Sequence, residues 1–240
     1  MRHTPAPAPR TRSPFTTAAR LAFSVAAALS LGGNLLSLWI GSWKTSTVPA
    51  GAGYSGVLHA GWEHMLNQPT YFTFLSNFLV GITSLLLAVR LDRPSTLFRV
   101  LRVTGVACIV ITGVVFNLLL RDAAPETAVE ELNDTVQHIV TPILTPILWA
   151  VFGPRRQITW RVVGLSTVIP LAWVAFTLLR GPWIDWYPYT ILDVPRLGYG
   201  GVAVSIAAIL VFFVAVAALL RVADALLARA GVGVMFPPRP

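Results

Sequence analysis

Residues 198–221 read Gly-Tyr-Gly-Gly-Val-Ala-Val-Ser-Ile-Ala-Ala-Ile-Leu-Val-Phe-Phe-Val-Ala-Val-Ala-Ala-Leu-Leu-Arg, with no charged side chain between Arg196 and Arg221. As an α-helix this stretch covers about 36 Å, more than the roughly 30 Å of a bilayer's hydrocarbon core. Its apolar residues are continuous, whereas a barrel strand would alternate. Five further runs of the same kind lie at 17–40, 70–90, 99–121, 135–152 and 158–179. The expected fold class is therefore all-α, an integral membrane bundle of six transmembrane helices.

Composition agrees. Of 240 residues, 55% are hydrophobic and 12% charged, and the mean hydropathy is +0.69. Soluble chains carry about 25% charged residues. This excludes a soluble nucleic-acid binder, a soluble dehydrogenase and a disulfide-stapled secreted domain, and leaves membrane lipids as the expected partners. Cys108 is the single cysteine and sits inside the third run, where core packing is its expected role.

The net charge of +8 reports orientation. Six spans put both termini on one side. The N-tail (Arg2, Arg10, Arg12, Arg20), the 91–98 loop with its flanks (Arg90, Arg93, Arg99, Arg102), the 153–161 turn (Arg155, Arg156, Arg161) and the C-tail (Arg221, Arg229, Arg239) hold fourteen of the eighteen basic residues. The other connections keep Lys44, Arg121, Arg180 and Arg196, together with all acidic residues except Asp92 and Asp224. The positive-inside rule then places both termini in the cytoplasm of a plasma-membrane protein. The first span is too long for a signal-peptide core of about 7–15 residues and is read as a retained helix. Residues 1–16 form a basic, Pro-rich tail expected to be disordered, residues 17–221 the membrane domain, and residues 222–240 a cytoplasmic C-terminal tail. Pairs such as Ala28 with Gly32, Gly201 with Ser205 and Ala203 with Ala207 suggest close helix crossings.

No charged side chain falls at mid-depth in any span, which argues against an ion- or proton-coupled carrier. Most polar residues inside the spans read as interhelical hydrogen-bond formers. One set stands apart by depth. Thr73 lies about a turn inside the outer end of the second span, with Asn77 one turn deeper on the same face. Asn117 and His138 lie at similar depth in the third and fourth spans. Asp134 precedes His138 by four residues, where its carboxylate can orient the imidazole. Pro142 leaves the His138 carbonyl without its helical partner, and Pro146 repeats the effect, which points to a cavity.

A threonine hydroxyl becomes a nucleophile when a neighbouring histidine takes its proton, and Asn77 or Asn117 could donate to the oxyanion that forms. The set therefore reads as a Thr73–His138 acyl-transfer site supported by Asn77, Asn117 and Asp134. Trp186, Tyr187 and Asp193 would form its rim. That reading requires Thr73 and His138 within hydrogen-bond reach or one water apart, lining an apolar pocket. His59, Glu63 and His64 have metal-ligand types without the zinc spacing. No cofactor or metal is expected. The alternative is a non-catalytic membrane protein, either a small-molecule carrier or a structural partner.

Three segments carry a resemblance: Tyr71-Phe-Thr-Phe74, His138-Ile-Val-Thr-Pro142 and Trp186-Tyr-Pro-Tyr189. Together with six spans they resemble the androgen-induced-gene (FAR-17a-like) integral membrane family, most closely its bacterial six-span members, over most of residues 17–221. Eukaryotic members are threonine hydrolases of fatty acid esters of hydroxy fatty acids. The resemblance implies a lipid-ester hydrolase with Thr73 as nucleophile and His138 as base. Asp134 departs from the eukaryotic pattern, which has a histidine nearby.

Overall fold

The computed structural model describes residues 13–121 and 125–234. They are mainly helical, with a lone bridge between Pro154 and Val234 and no strand among the described residues. Six stretches are long and apolar enough to cross a membrane. The first is α1 (Pro14–Trp43), started by Ser13, whose hydroxyl accepts from the Thr16 amide, and by Pro14 in the first turn. A short α2 (Trp62–Asn67) leads into α3 (Phe72–Val89). The third span is α4 (Thr96–Val115), extended by a π-helical turn over Phe116–Leu120. The fourth joins α5 (Ala128–Thr135), a second π turn (Val136–Val140) and α6 (Thr141–Phe152). α7 (Trp160–Ser166) and α8 (Val168–Ile184) make the fifth, and α9 (Val194–Arg229) the sixth.

Several boundaries differ from the sequence expectation. α5 begins at Ala128, seven residues before 135, because Thr127 and Glu130 form a reciprocal capping box that satisfies the first-turn amides and so favours an early start. α1 includes residues 14–16, which the sequence reading assigned to the disordered tail, and residues 1–12 of that tail lie outside the described residues. The helical part of the expected C-terminal tail reaches Arg229, while residues 235–240 lie outside the described residues. α9 starts at Val194, with an interruption at Gly198 (φ 66°), a left-handed backbone that glycine adopts without a Cβ clash.

α4 is the central helix. Val103, Val106, Ala107, Cys108 and Ile111 pack against Trp149, Val162, Phe213 and Ala217 from three neighbouring helices. α1 lies along α3, and α3 along α4. The small-residue crossings are not the expected ones. Nothing approaches the space where a Gly32 side chain would stand, whereas methyl groups on Gly33 and Gly105 would lie 3.0 Å from Gln137 Cγ and 3.2 Å from the α3 backbone. Ala28, Ala203 and Ala207 are exposed, and Gly201 meets only Leu197 of its own helix. Outward faces of α8 and α9 expose Leu171, Phe176, Leu179, Val204, Val211 and Leu219, as suits contact with lipid.

A polar seam joins the helices inside. Ser76 accepts from Thr112 at 3.0 Å, and Gln137 donates to Gly33 O at 3.1 Å and Ser37 Oγ at 2.6 Å. At the Thr73 end the 44–61 segment is strapped across the bundle. Lys44 lies 2.6 Å from Glu130. Burial works against the Lys44 charge, yet the Glu130 and Glu126 carboxylates hold its pKa above the ordinary lysine value. Ser55 donates to Asp185 Oδ2 at 2.6 Å, which holds the exposed Asp185 carboxyl below the usual aspartate range.

Candidate functional site

The two π turns face each other. Pro142 has no amide to give the His138 carbonyl; Asn117 fills the place, its Nδ2 donating to His138 O at 2.8 Å and to Gly113 O at 2.7 Å. The carbonyl expected to be orphaned is thus satisfied from the neighbouring helix. Gly113 permits this approach, since a methyl there would lie 2.5 Å from Pro142 Cβ. π turns within helices recur at functional sites, where the extra residue re-aims a side chain. Here the second turn carries His138 at its centre.

Thr73 Oγ1 lies 3.1 Å from His138 Nε2, and His138 Nδ1 lies 2.8 Å from Asp134 Oδ1. The carboxylate accepts only, so Nδ1 carries the ring hydrogen and Nε2 is left to receive the Thr73 proton. The relay is braced on both sides. Asp134 Oδ2 meets Arg121 Nη2 at 3.1 Å, and Arg121 also donates to Asn117 Oδ1 at 2.8 Å. Phe116 stacks on the imidazole, with centroids 3.5 Å apart and planes 8° from parallel. His138 and Asp134 side chains are 14% and 17% exposed, so the chain of hydrogen bonds works in a water-poor setting where each contact is strengthened.

The other expected residues have different places. Asn77 is fully buried; its amide donates to Thr73 O at 3.0 Å and Gln137 Oε1 at 3.5 Å while its Oδ1 accepts from Thr141 at 2.8 Å. Both Asn77 and Asn117 have committed their donors, so they fix the helices that carry Thr73 and His138, and neither has the free donor the sequence reading expected of it. Trp186 and Tyr187 are buried in a cluster with Tyr54 and Leu58. Asp193 accepts from the Gly53 amide at 2.6 Å and caps α9 through Arg196 N at 3.1 Å. These three anchor the strap and line neither cavity beside Thr73. His64 gives Nδ1 to Lys44 O at 2.6 Å, and Glu63 accepts from His59 N at 3.2 Å. Among the described residues no group of three acidic, histidine or cysteine side chains converges as a metal site.

The residue the sequence reading missed is Tyr189. Its hydroxyl accepts from the Thr73 amide at 3.3 Å and stands 3.4 Å from Thr73 Oγ1. Burial raises its pKa, so the phenol keeps a proton to donate. Its sequence signal was the Trp-Tyr-Pro-Tyr segment itself, which also reads as an interfacial aromatic belt.

Two cavities meet at Thr73, Phe116, Leu120 and Tyr189. The first is a cleft between α8 and α9, walled by Ile111, Val115, Leu171, Trp173, Ile209 and Phe213; apart from Thr73, Thr112, Trp173 and Tyr189 its lining is hydrocarbon or phenyl ring. Its free volume is about 70 Å³, too little for an entire long chain, so an occupant must continue between the helices into the bilayer. The second, of about 310 Å³, lies under the strap and is edged by Ser37, Gln68, Asn133, Gln137, His138 and Thr190, with no Lys, Arg, Asp or Glu in its lining. Comparison of the chain with protein-family models, curated proteins and solved structures finds no match.

Proposed function

We propose that this is an intramembrane threonine hydrolase of lipid or fatty-acid esters. The observation that carries it is the continuous hydrogen-bonded relay Thr73–His138–Asp134 at 3.1 and 2.8 Å, set where an apolar cleft meets a polar cavity. The resemblance to the androgen-induced-gene family points the same way. So does the distribution of basic residues, which faces Thr73 toward the outer leaflet.

The acyl chain lies in the α8–α9 cleft and the alcohol half in the second cavity. His138 Nε2 takes the Thr73 proton as Oγ1 attacks the ester carbonyl carbon. The Tyr189 hydroxyl donates to the oxyanion of the tetrahedral intermediate. Collapse breaks the ester C–O bond, and the leaving alkoxide takes the proton from His138, which leaves an acyl-threonine. Water then attacks that carbonyl and gives a proton to Nε2. Thr73 departs with it, and the carboxylic acid is released. Because the second cavity has no Lys, Arg, Asp or Glu in its lining, the alcohol it suits is neutral and hydroxylated.

A fluorophosphonate probe applied to the purified full-length protein is expected to leave its adduct on the peptide containing Thr73. An adduct mapped elsewhere, or no adduct, returns the chain to the non-catalytic reading. Tyr189→Phe is expected to lower ester hydrolysis about 10²-fold, in the range of a lost oxyanion donor, with Thr73 labelling slowed in step. An unchanged rate would remove Tyr189 from the chemistry.

A further inference from the structure

The end of the bundle away from Thr73 holds a cation that the ester chemistry does not use. Arg102, placed by the sequence on the flank of the 91–98 loop, stands nearly two turns inside α4 and is 6% exposed. Its Nη1 donates to Thr83 Oγ1 at 3.3 Å and Ser84 Oγ at 3.1 Å, and its guanidinium lies 5.3 Å from the centre of the Phe23 ring. Hydroxyls and a ring face solvate a cation in part, but none brings a counter-charge, and Nε has no partner. One turn earlier, Arg99 also has a buried, unpartnered Nε.

No carboxylate of the chain completes this charge among the described residues. The sequence supplies two to this end. Asp224 accepts from the amides of Arg156, Gln157 and Ile158 at 3.0–3.2 Å, and Asp92 lies 3.6 Å from Arg90. The other acidic residues fall in the connections at the Thr73 end of the sequence. A neighbouring buried arginine shows the contrast. Arg155 also leaves Nη1 unpartnered, but it gives Nε to the Val232 carbonyl and Nη2 to those of Trp149 and Ala150 and feels the opposing charge of Asp224. Unpaired charge buried in a membrane protein is costly and marks ligand or ion sites.

Arg99 and Arg102 share one cavity, closed on the other side by Trp149, Pro154 and Gln157. Its free volume, about 10 Å³, admits one oxygen-sized group, with anything larger held at the mouth. We infer that Arg99 and Arg102 form the floor of a phosphate-binding site that inserts one phosphate oxygen between the two side chains. Guanidinium groups match phosphate oxygens in geometry and charge. The high density of Arg at this end concentrates anions there. The phosphate belongs either to the headgroup of an anionic lipid or to a free phosphate ion.

Unfolding of the full-length protein in a neutral detergent and phosphate-free buffer separates these sources. Phosphatidylglycerol is added in one arm and inorganic phosphate in the other, each on wild type, Arg102→Gln and Arg99→Gln. The expected result is a Tm rise of about 5 °C for wild type near saturation, lost in Arg102→Gln and reduced in Arg99→Gln. A rise with the lipid alone assigns the site to a headgroup; a rise with both assigns it to the phosphate group itself. Arg102→Gln without ligand should melt no lower than wild type, since an uncompensated charge has gone. If that variant does not fold, Arg99→Gln, at a half-buried position, carries the comparison. No rise in either arm, or a rise that the variants keep in full, overturns the inference.

Discussion

On the proposed reading, Thr73→Ala protein is expected to lose fluorophosphonate labelling and at least about 10³-fold of its ester hydrolysis, and Thr73→Ser to keep both. The asymmetry follows from the local structure. Thr73 enters α3 in its first turn, and Ser there presents the same oxygen to His138 Nε2. Alanine removes the oxygen and little else. The helix keeps the Asn77 bond to the residue 73 carbonyl, and the bond from the residue 73 amide to Tyr189 does not involve the side chain. The variant should therefore fold as wild type, and a melting curve checks this beside the activity. Equal hydrolysis by Thr73→Ala and wild type would place the chemistry elsewhere.

His138→Ala is expected to cost about as much as Thr73→Ala, and the double variant no more than either alone, because residues that act as one relay are not additive. Two single losses that multiply would show separate roles. Asp134 does not become an orphan in this variant, since Arg121 still holds it at 3.1 Å, so the loss reads on activity before stability. Asp134→Asn tests the tautomer. An amide can donate to Nδ1 and turn the ring's hydrogen toward Thr73, which would lower the rate by about 10²–10⁴-fold, with the larger figure known for a serine triad. An Asp134→Asn rate equal to wild type would make that carboxylate a partner of Arg121 only.

Depth was legible in the sequence and direction around each helix was not. A rise of about 1.5 Å per residue sets how far Thr73, Asn117 and His138 lie below the helix ends, and the four-residue step from Asp134 to His138 puts both on one face. Which way those faces turn depends on the neighbours, and a sequence of nearly uniform apolarity leaves that open. Asn77 and Asn117 show the effect. Each sits at a useful depth, yet Gln137 and Thr141 in one case, and the His138 carbonyl in the other, take up the amide. The strap misled for a different reason. Trp186 and Tyr187 have the composition of an interfacial belt, but Tyr54 and Leu58, far away in sequence, bury them, and Tyr189 alone in that segment reaches the threonine. Arg102 was legible as a flanking residue at the start of the third span, but its burial was not; that depends on the hydroxyls of Thr83 and Ser84 on the neighbouring helix.

The paired π turns have a consequence for how this site arises and is lost. A π turn amounts to one residue more than an α-helix needs, so the widening around His138 is written in chain length. Any of five residues, Val136–Val140, could be deleted to restore an uninterrupted α-helix; the flanking helices would keep their facing, while the residues of the turn, His138 among them, would be re-aimed or removed. Related chains that differ here by one residue would then have the same spans and hydropathy profile but no relay. An ungapped count through this segment separates the two kinds of chain where matching of residue types would not.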